Sequence, residues 1–340
     1  MMKHITVIEW KSKPDDLVSS TEWLPGNCSR TDTVDVIVTS LLEIFIFIVI
    51  TIFVICGNTV VLLSFIFSKH LRATITNYFI LNLAIADFIL GVFILPFELI
   101  QLIQNFWQFG NTFCTIWLTT SVFLCFASIM NLVVISLDKY LSITWPLQYC
   151  QRMSKTKVIV AIVTVWTFSM VVTWVPLIAG EVTTSLNFDE MTNHCMPHWS
   201  AGLILFAAMI GFIIPFTILF YTNTRIYCIA RKQSRQIWAQ SRSPAPRKKQ
   251  TRAIMTTVLL VVFFCLMWLP YFITNIIFAF YPNCHMLARL CNYFSWLGYS
   301  NSALNPFLYA RNKEFKKAFS KIVPCLCKPH TRVQTVSSNA

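Results

Sequence analysis

Long apolar runs, broken at fairly even intervals by short polar and charged stretches, dominate the chain. A helix rises about 1.5 Å per residue, so about 20 apolar residues cross the hydrocarbon core of a bilayer. Seven stretches meet that length: 38–67, 76–104, 112–142, 157–179, 199–230, 253–281 and 290–310. The pattern predicts an all-α membrane protein built as a seven-transmembrane helix bundle. Behind the last run, residues 311–323 are basic and amphipathic, which predicts a short eighth helix lying along the membrane surface. The chain thus divides into an N-terminal segment (1–37), the bundle (38–310), the amphipathic helix (311–323) and a tail (324–340). No internal repeat of 20–50 residues is visible, nor the inverted pair of interrupted helices of a two-half transporter.

Composition sharpens this picture. With 56% apolar and only 12% charged residues, the 340-residue chain does not read as a pair of soluble domains. The net charge of +13 does not point to nucleic acid, because the 29 Phe and 11 Trp sit mostly inside the apolar runs rather than among the basic residues. Membrane topology accounts for it instead. Of the 27 Lys and Arg, 22 fall in the 68–75, 139–157 and 225–252 loops and the tail after 310; the other five are Lys3, Lys11, Lys13, Arg30 and Arg289. The positive-inside rule then predicts an extracellular N-terminus and a cytoplasmic C-terminus, as seven spans require. Residues 1–16 hold no apolar core of the signal-peptide kind, so the first span is expected to act as an uncleaved insertion signal. Asn27-Cys28-Ser29 is a glycosylation sequon on the predicted outer side. The 231–252 stretch reads as a solvated cytoplasmic connector. No nucleophile–base pair or phosphate-binding glycine loop supports an enzyme.

Ionisable residues at membrane depth are functional candidates by default. Asp87 lies mid-way along the second run and must face the bundle interior. Ser128, Asn131, Asn301, Ser302, Asn305 and Asn58 are candidate partners. Two readings stand side by side: a carboxylate ringed by neutral oxygens suited to a sodium ion, or a hydrogen-bonded clamp holding no ion. Glu98, eleven residues on and about three turns along the same helix, falls on roughly the same face nearer the outside. It either contributes negative charge to an outward-facing cavity or reaches interfacial water. Glu43 reads as interfacial. Pro215, Pro270 and Pro306 each interrupt an apolar run and predict kinks that open a cavity. Phe264, Trp268, Tyr271 and Phe272 stand around the second proline, and Trp296, Tyr299 and Tyr309 around the third. Aromatics at this spacing serve packing or a pocket, and their place beside the kinks favours a pocket.

Among twelve cysteines, Cys114 and Cys195 both fall outside under this topology and are candidates for a disulfide. Cys28, Cys284 and Cys291 are outside as well, so a second bridge, most simply Cys284 to Cys291, is open. Cys325 and Cys327 follow the basic stretch and read as palmitoylation sites; metal binding lacks a second ligand pair.

Several motifs occur in order on these spans: Gly57-Asn58, Leu83-Ala84-Ile85-Ala86-Asp87, Cys114, Asp138-Lys139-Tyr140, Trp166, Pro215, Phe264 with Trp268-Leu269-Pro270, and Asn305-Pro306-Phe307-Leu308-Tyr309. From about 38 to 323 the chain resembles a rhodopsin-like (class A) G protein-coupled receptor. Trp296-Leu297-Gly298-Tyr299-Ser300-Asn301-Ser302 is similar to the biogenic-amine branch, which includes histamine, serotonin and trace-amine receptors. The run from Ile116 to Thr120, then Leu124-Cys125 and Ile135-Ser136-Leu137-Asp138, is most similar to the histamine receptors that couple to inhibitory G proteins, and Asn223 fits the same subgroup. The resemblance implies a plasma-membrane receptor that binds a small extracellular ligand and activates a heterotrimeric G protein. It implies a pocket of Glu98, Ser121, Val122, Cys125, Trp268, Tyr271, Phe272, Trp296 and Tyr299, with Trp268 as its floor. It also implies a sodium-sensitive activation site of Asp87, Ser128, Asn301, Asn305 and Tyr309, and a coupling site of Asp138, Lys139 and Tyr140.

Three departures from that pattern bear on function. The family's amine receptors place an aspartate about two turns inside Cys114, where this chain has Ser121, and the span 5 positions for a second polar contact are Ala207, Ala208 and Gly211. A hydroxyl forgoes a charge-assisted pair worth about 1.5–3 kcal/mol, or about tenfold to a hundredfold in affinity. Glu98 is the carboxylate left to take an amine in a shifted pose. Lys139 replaces the family's arginine and loses its planar fork. Gln250 replaces a glutamate that commonly restrains spans 3 and 6. An alternative reading is a non-signalling, receptor-like membrane protein acting as a dimer or trafficking partner. A channel is disfavoured because stretches such as 258–264 are too apolar to line a polar path.

Overall fold

A computed structural model describes residues 33–179, 188–189, 194–195, 199–240, 245–281 and 284–327. The Asn27 sequon and Cys28 lie outside the described residues, as do the side chains of Gln250, Cys325 and Cys327. Met1–Leu41 and Leu42–Ala340 form separate units, and the second carries the bundle.

Span 1 is α1 (Thr33–Phe67), followed by a turn, α2 (Lys69–Ala73). Span 2 is divided into α3 (Asn77–Phe93) and α4 (Leu95–Gln104), because Pro96 has no N–H to offer the preceding turn and its ring displaces the carbonyl there. Left-handed Asn105 ends α4. Span 3 is α5 (Gly110–Thr144), with α6 (Pro146–Arg152) behind it, and span 4 is α7 (Lys155–Ile178). Span 5 comprises α8 (Ala201–Ala208), a π-helical turn (Met209–Ile213) and α9 (Ile214–Gln240). The wide turn accommodates Pro215, whose missing N–H would leave a carbonyl of an ordinary helix unpaired. Spans 6 and 7 are α10 (Ala245–Phe280) and α11 (His285–Tyr309), which carry Pro270 and Pro306 inside continuous helices.

Six of these helices are long and apolar enough to cross a membrane by themselves. The seventh, α11, is less apolar because Asn301, Ser302 and Asn305 interrupt it, and all three are buried. Polar groups in a membrane helix turn towards the bundle, where they find partners that lipid cannot offer. The fold is thus the expected all-α, seven-helix membrane bundle. At its centre α5 packs against α3, α7 and α9, while α10 packs against α9 and α11. Phe212, on the π turn, joins spans 5 and 6 through ring contacts to Phe264 at 5.7 Å and Phe272 at 5.2 Å, with Phe216 stacked behind it at 5.8 Å.

Close helix approaches depend on small residues. A Cβ on Gly57 would lie 2.9 Å from Pro306 Cγ, so α1 and α11 meet where only glycine fits. Gly57→Ala is expected to cost about 1–3 kcal/mol through overpacking, read as a lower thermal midpoint of the purified chain.

At one end of the bundle, Phe188–Asp189 and His194–Cys195 pair as a short antiparallel ladder. Cys195 is bonded to Cys114 with their Cα atoms 5.7 Å apart, and its N–H donates to Gln101 Oε1 at 2.9 Å. That cross-link joins α5, the ladder and α4. Cys284 and Cys291 both stay free, so the second bridge considered above does not form between them. Seven residues of helix separate their Cα atoms by about 10 Å, beyond disulfide reach. At the other end, the amphipathic helix α12 (Lys313–Cys327) runs further than expected, burying Phe315 and Ala318, and His70 pairs with Glu314 at 3.3 Å.

Candidate functional site

A cavity of about 1000 Å³, open mouth included, lies between α5, α7, α8, the π turn, α10 and α11. Seven residues expected in a pocket line it: Ser121, Val122, Cys125, Trp268, Tyr271, Phe272 and Tyr299. The reason is helical phase, since Ser121, Val122 and Cys125 share one face of α5, and Trp268, Tyr271 and Phe272 one face of α10. Where the family's amine receptors carry an aspartate, Ser121 Oγ and the Tyr299 hydroxyl share a hydrogen bond of 3.1 Å. Among the described residues, the lining holds no charged side chain.

Trp268 is buried at the cavity floor with Tyr271 edge-on at 5.8 Å. Its ring lies over Gly298 of α11, where a Cβ would come within 3.0–3.1 Å of three ring carbons. Gly298→Ala must therefore push the indole aside. The expected result is a lower thermal midpoint of the purified chain, measured beside the parent.

Glu98 and Trp296 do not line the cavity. They pair with each other instead, the Trp296 indole N–H donating to Glu98 Oε1 at 3.3 Å. Trp296 packs edge-on against Phe47 at 5.1 Å and lies in an apolar cluster with Leu95 and Ala303. The break at Pro96 explains the difference, because it resets the helix between Asp87 and Glu98 and undoes the phase relation of an unbroken helix. Tyr299 packs against this cluster and lines the cavity as well. Span 4 contributes Val172, Thr173 and Pro176, and span 5 contributes Leu203, Phe206 and Ile210. The sequence signal for these was weak: Thr173 and Pro176 in an otherwise apolar run.

Asp87 is fully buried beneath the cavity level of the bundle's polar core. Its Oδ1 accepts hydrogen bonds from Ser128 Oγ at 2.9 Å and Ser302 Oγ at 2.8 Å, and its Oδ2 from Asn305 Nδ2 at 2.8 Å. Asn301 is buried without a hydrogen bond to Asp87. Asn131 turns elsewhere too, accepting from Asn82 Nδ2 at 2.5 Å, while Asn82 Oδ1 accepts from the Trp166 indole at 2.8 Å. That clasp ties spans 2, 3 and 4. Asn58 donates to the Val54 and Ser302 carbonyls at 2.8 and 3.1 Å. Asn58 Oδ1, Asn305 Oδ1 and the Tyr309 hydroxyl are buried without partners among the described residues.

Residues 57–309 match the family described as 7 transmembrane receptor (rhodopsin family). The chain belongs to this family. It is 33% identical over 332 residues to the D(1A) dopamine receptor of Xenopus laevis, covering 83% of this chain and 73% of that one. It is 33% identical over 297 residues to 5-hydroxytryptamine receptor 4 of Cavia porcellus, covering 80% and 76%. It is 31% identical over 313 residues to the Alpha-1A adrenergic receptor of Mus musculus, covering 81% and 66%. The chain is a class A receptor of the biogenic-amine group, and the family's members are receptors rather than enzymes.

At the receptor's opposite end, Asp138 is buried and accepts from the Tyr149 hydroxyl, and Lys139 Nζ lies 3.6 Å from Asp138 Oδ2. The Lys139 side chain is 37% exposed. Tyr140 packs edge-on towards Tyr221 of α9 at 6.3 Å. Just inside, Ser136 bonds Thr222 at 2.7 Å and accepts from Asn223 Nδ2 at 3.0 Å. This second clasp joins spans 3 and 5 and was missed in the sequence, where Asn223 stood out only as a subgroup marker.

Proposed function

We propose that the chain is a plasma-membrane receptor with its N-terminus outside, binding a small extracellular molecule in the cavity above Trp268 and activating a heterotrimeric G protein at the Lys139 end. The observation that carries this is the Trp268–Gly298 contact, which ties the cavity floor on span 6 to span 7, the helix that brings Ser302 and Asn305 to Asp87. Ligand binding would bias a pre-existing equilibrium between two helix arrangements rather than create a new one. Ser121, Val122, Cys125, Tyr271, Phe272 and Tyr299 would contact the ligand directly. For a histamine-type or trace-amine-type ligand, the ammonium would have to pass Tyr299 to reach Glu98 beside Trp296.

Among the described residues no cluster of three or more His, Cys, Asp or Glu could hold a metal. A sodium ion fits the Asp87 core nonetheless, because hard oxygens of Asp87 and Ser128 and the unpartnered Asn305 Oδ1 are of the right chemistry for it. Bound there, it would supply positive charge that favours the arrangement holding α3, α5 and α11 together. Ser128 and Asn305 would orient the carboxylate with or without it. Glycosylation at Asn27 and palmitoylation at Cys325 and Cys327 complete the proposal, with membrane lipid under α12.

Lys139 next to Asp138 favours a second reading, a receptor-like protein that partners others without signalling. Basal and ligand-driven G-protein activation, measured with histamine, serotonin, trace amines and non-amine metabolites, tests the two. Lys139→Arg restores a planar guanidinium and is expected to raise activation several-fold. A silent parent with an active variant marks impaired coupling, and silence of both across the panel supports the partner reading.

A further inference from the structure

We infer that the cavity takes a neutral, largely apolar molecule carrying a single hydrogen-bonding oxygen, and that this molecule arrives from the bilayer between α7 and α8. The inference rests on the cavity being the ligand site and adds the ligand's chemistry and its route. The lining's polar groups are few and mostly occupied. Thr119, Thr173 and Ser295 donate to carbonyls of their own helices at 2.8, 2.8 and 2.7 Å, and Ser121 and Tyr299 bond each other. The Trp268 indole N–H, buried at the floor, has no acceptor among the described residues. With no charged side chain beside it, an ammonium or carboxylate brought here would lose its hydration without a counter-charge. A neutral molecule loses far less, and a carbonyl or hydroxyl oxygen on it can pair with the Tyr271 hydroxyl, which lines the cavity without a hydrogen-bond partner among the described residues.

The route follows from how the helices pack. α7 packs against α5 and α3, and α8 against α10, while among the described residues the backbones of α7 and α8 do not approach one another closely along their length. Yet Val172 and Pro176 of α7 and Leu203, Phe206 and Ile210 of α8 and the π turn wall the same cavity. The cavity wall therefore runs from one of these helices to the other. Phe206 belongs to both surfaces, lining the cavity while remaining 43% exposed. Its outer neighbours Leu205 and Met209, like Val171 and Val175 across the gap, are exposed apolar residues that lipid would cover. One edge of the gap is closed by Phe126 against Phe168 at 5.9 Å. Phe206 thus stands in the opening, with Trp199 also on the cavity wall just ahead of α8, and rotation of Phe206 would admit a lipophile without moving a helix.

The test uses the full chain in lipid nanodiscs and a small uncharged aryl diazirine that partitions into the bilayer, beside its water-soluble trimethylammonium derivative. Photolabelled positions are mapped by peptide mass spectrometry. The apolar reagent is expected to label Val122 and Cys125 well above the ammonium reagent. Phe206→Trp and, separately, Val172→Trp should cut that labelling several-fold, and Phe206→Ala should raise it. Ile52 and Phe53, exposed on α1, should label equally throughout and report the reagent's concentration in lipid. Equal labelling of Val122 and Cys125 by the ammonium reagent, or labelling indifferent to all three substitutions, would overturn the bilayer route while leaving the cavity as a ligand site reached from water. Label at those residues from neither reagent would overturn both. Because Phe206→Trp and Phe206→Ala are expected to act in opposite directions, general misfolding cannot imitate the result.

Discussion

Asp87→Ala is expected to be the most damaging single substitution in the bundle. It leaves the Ser128 and Ser302 hydroxyls and the Asn305 amide, which all donate to the carboxylate, facing a methyl group. An orphaned buried donor costs about 1–3 kcal/mol, so three sharing one acceptor should cost about 3 kcal/mol or more after relaxation. The measurement is thermal midpoint of the purified chain together with its amount at the cell surface, and both should fall sharply. Asp87→Asn separates the ion from the clamp. It keeps the size and one acceptor oxygen, so much of the stability should survive, but it removes the charge a cation needs. Sodium dependence of basal activation should disappear in Asp87→Asn. If the parent shows no such dependence, or the variant keeps it, the clamp holds no ion.

Ser121→Asp should give the largest gain. The Tyr299 hydroxyl already sits 3.1 Å from Ser121 Oγ, so a carboxylate there finds a donor in place, and Val122, Cys125 and Tyr271 leave the rest of the wall unchanged. An ammonium ligand would gain a charge-assisted hydrogen bond of about 1.5–3 kcal/mol, and its potency should rise about tenfold to a hundredfold. Dose–response curves for histamine, serotonin and trace amines on parent and variant give the reading. A well-expressed Ser121→Asp receptor that ignores all of them would show that the cavity does not have an amine's shape. Comparison with the photolabelling then tells whether a lipophile fills it instead.

Much of the site was legible because a membrane offers polar groups so few alternatives. Ser128, Ser302 and Asn305 could be assigned to Asp87 from sequence, since each interrupts an apolar run and must turn inward. Asn131 shows the limit of that rule. It also turns inward, but towards Asn82 rather than Asp87, and which buried partner a neutral amide takes is decided by helix rotation that no single run encodes. Glu98 shows another. Its phase was read along an unbroken helix, although Pro96 stands two residues before it and restarts the helix there. The face that α7 and α8 contribute left almost no trace, because side chains facing a lipophilic cavity and side chains facing lipid are drawn from the same apolar set. The π turn was likewise hidden, as Pro215 announces only that some irregularity is needed.

Phe212 meets span 6 through the rings of Phe264 and Phe272, with Phe216 of its own span stacked behind it, and among the described residues these rings make no hydrogen bond or ion pair. Dispersion between rings falls off smoothly as they slide, whereas a directional bond must break before its helices can part. The seam therefore behaves as a lubricated bearing. Sliding at this seam should be fast and cost little enthalpy, so the receptor's response time would be governed by the polar clasps at Ser136 and Asp87 and not by these rings.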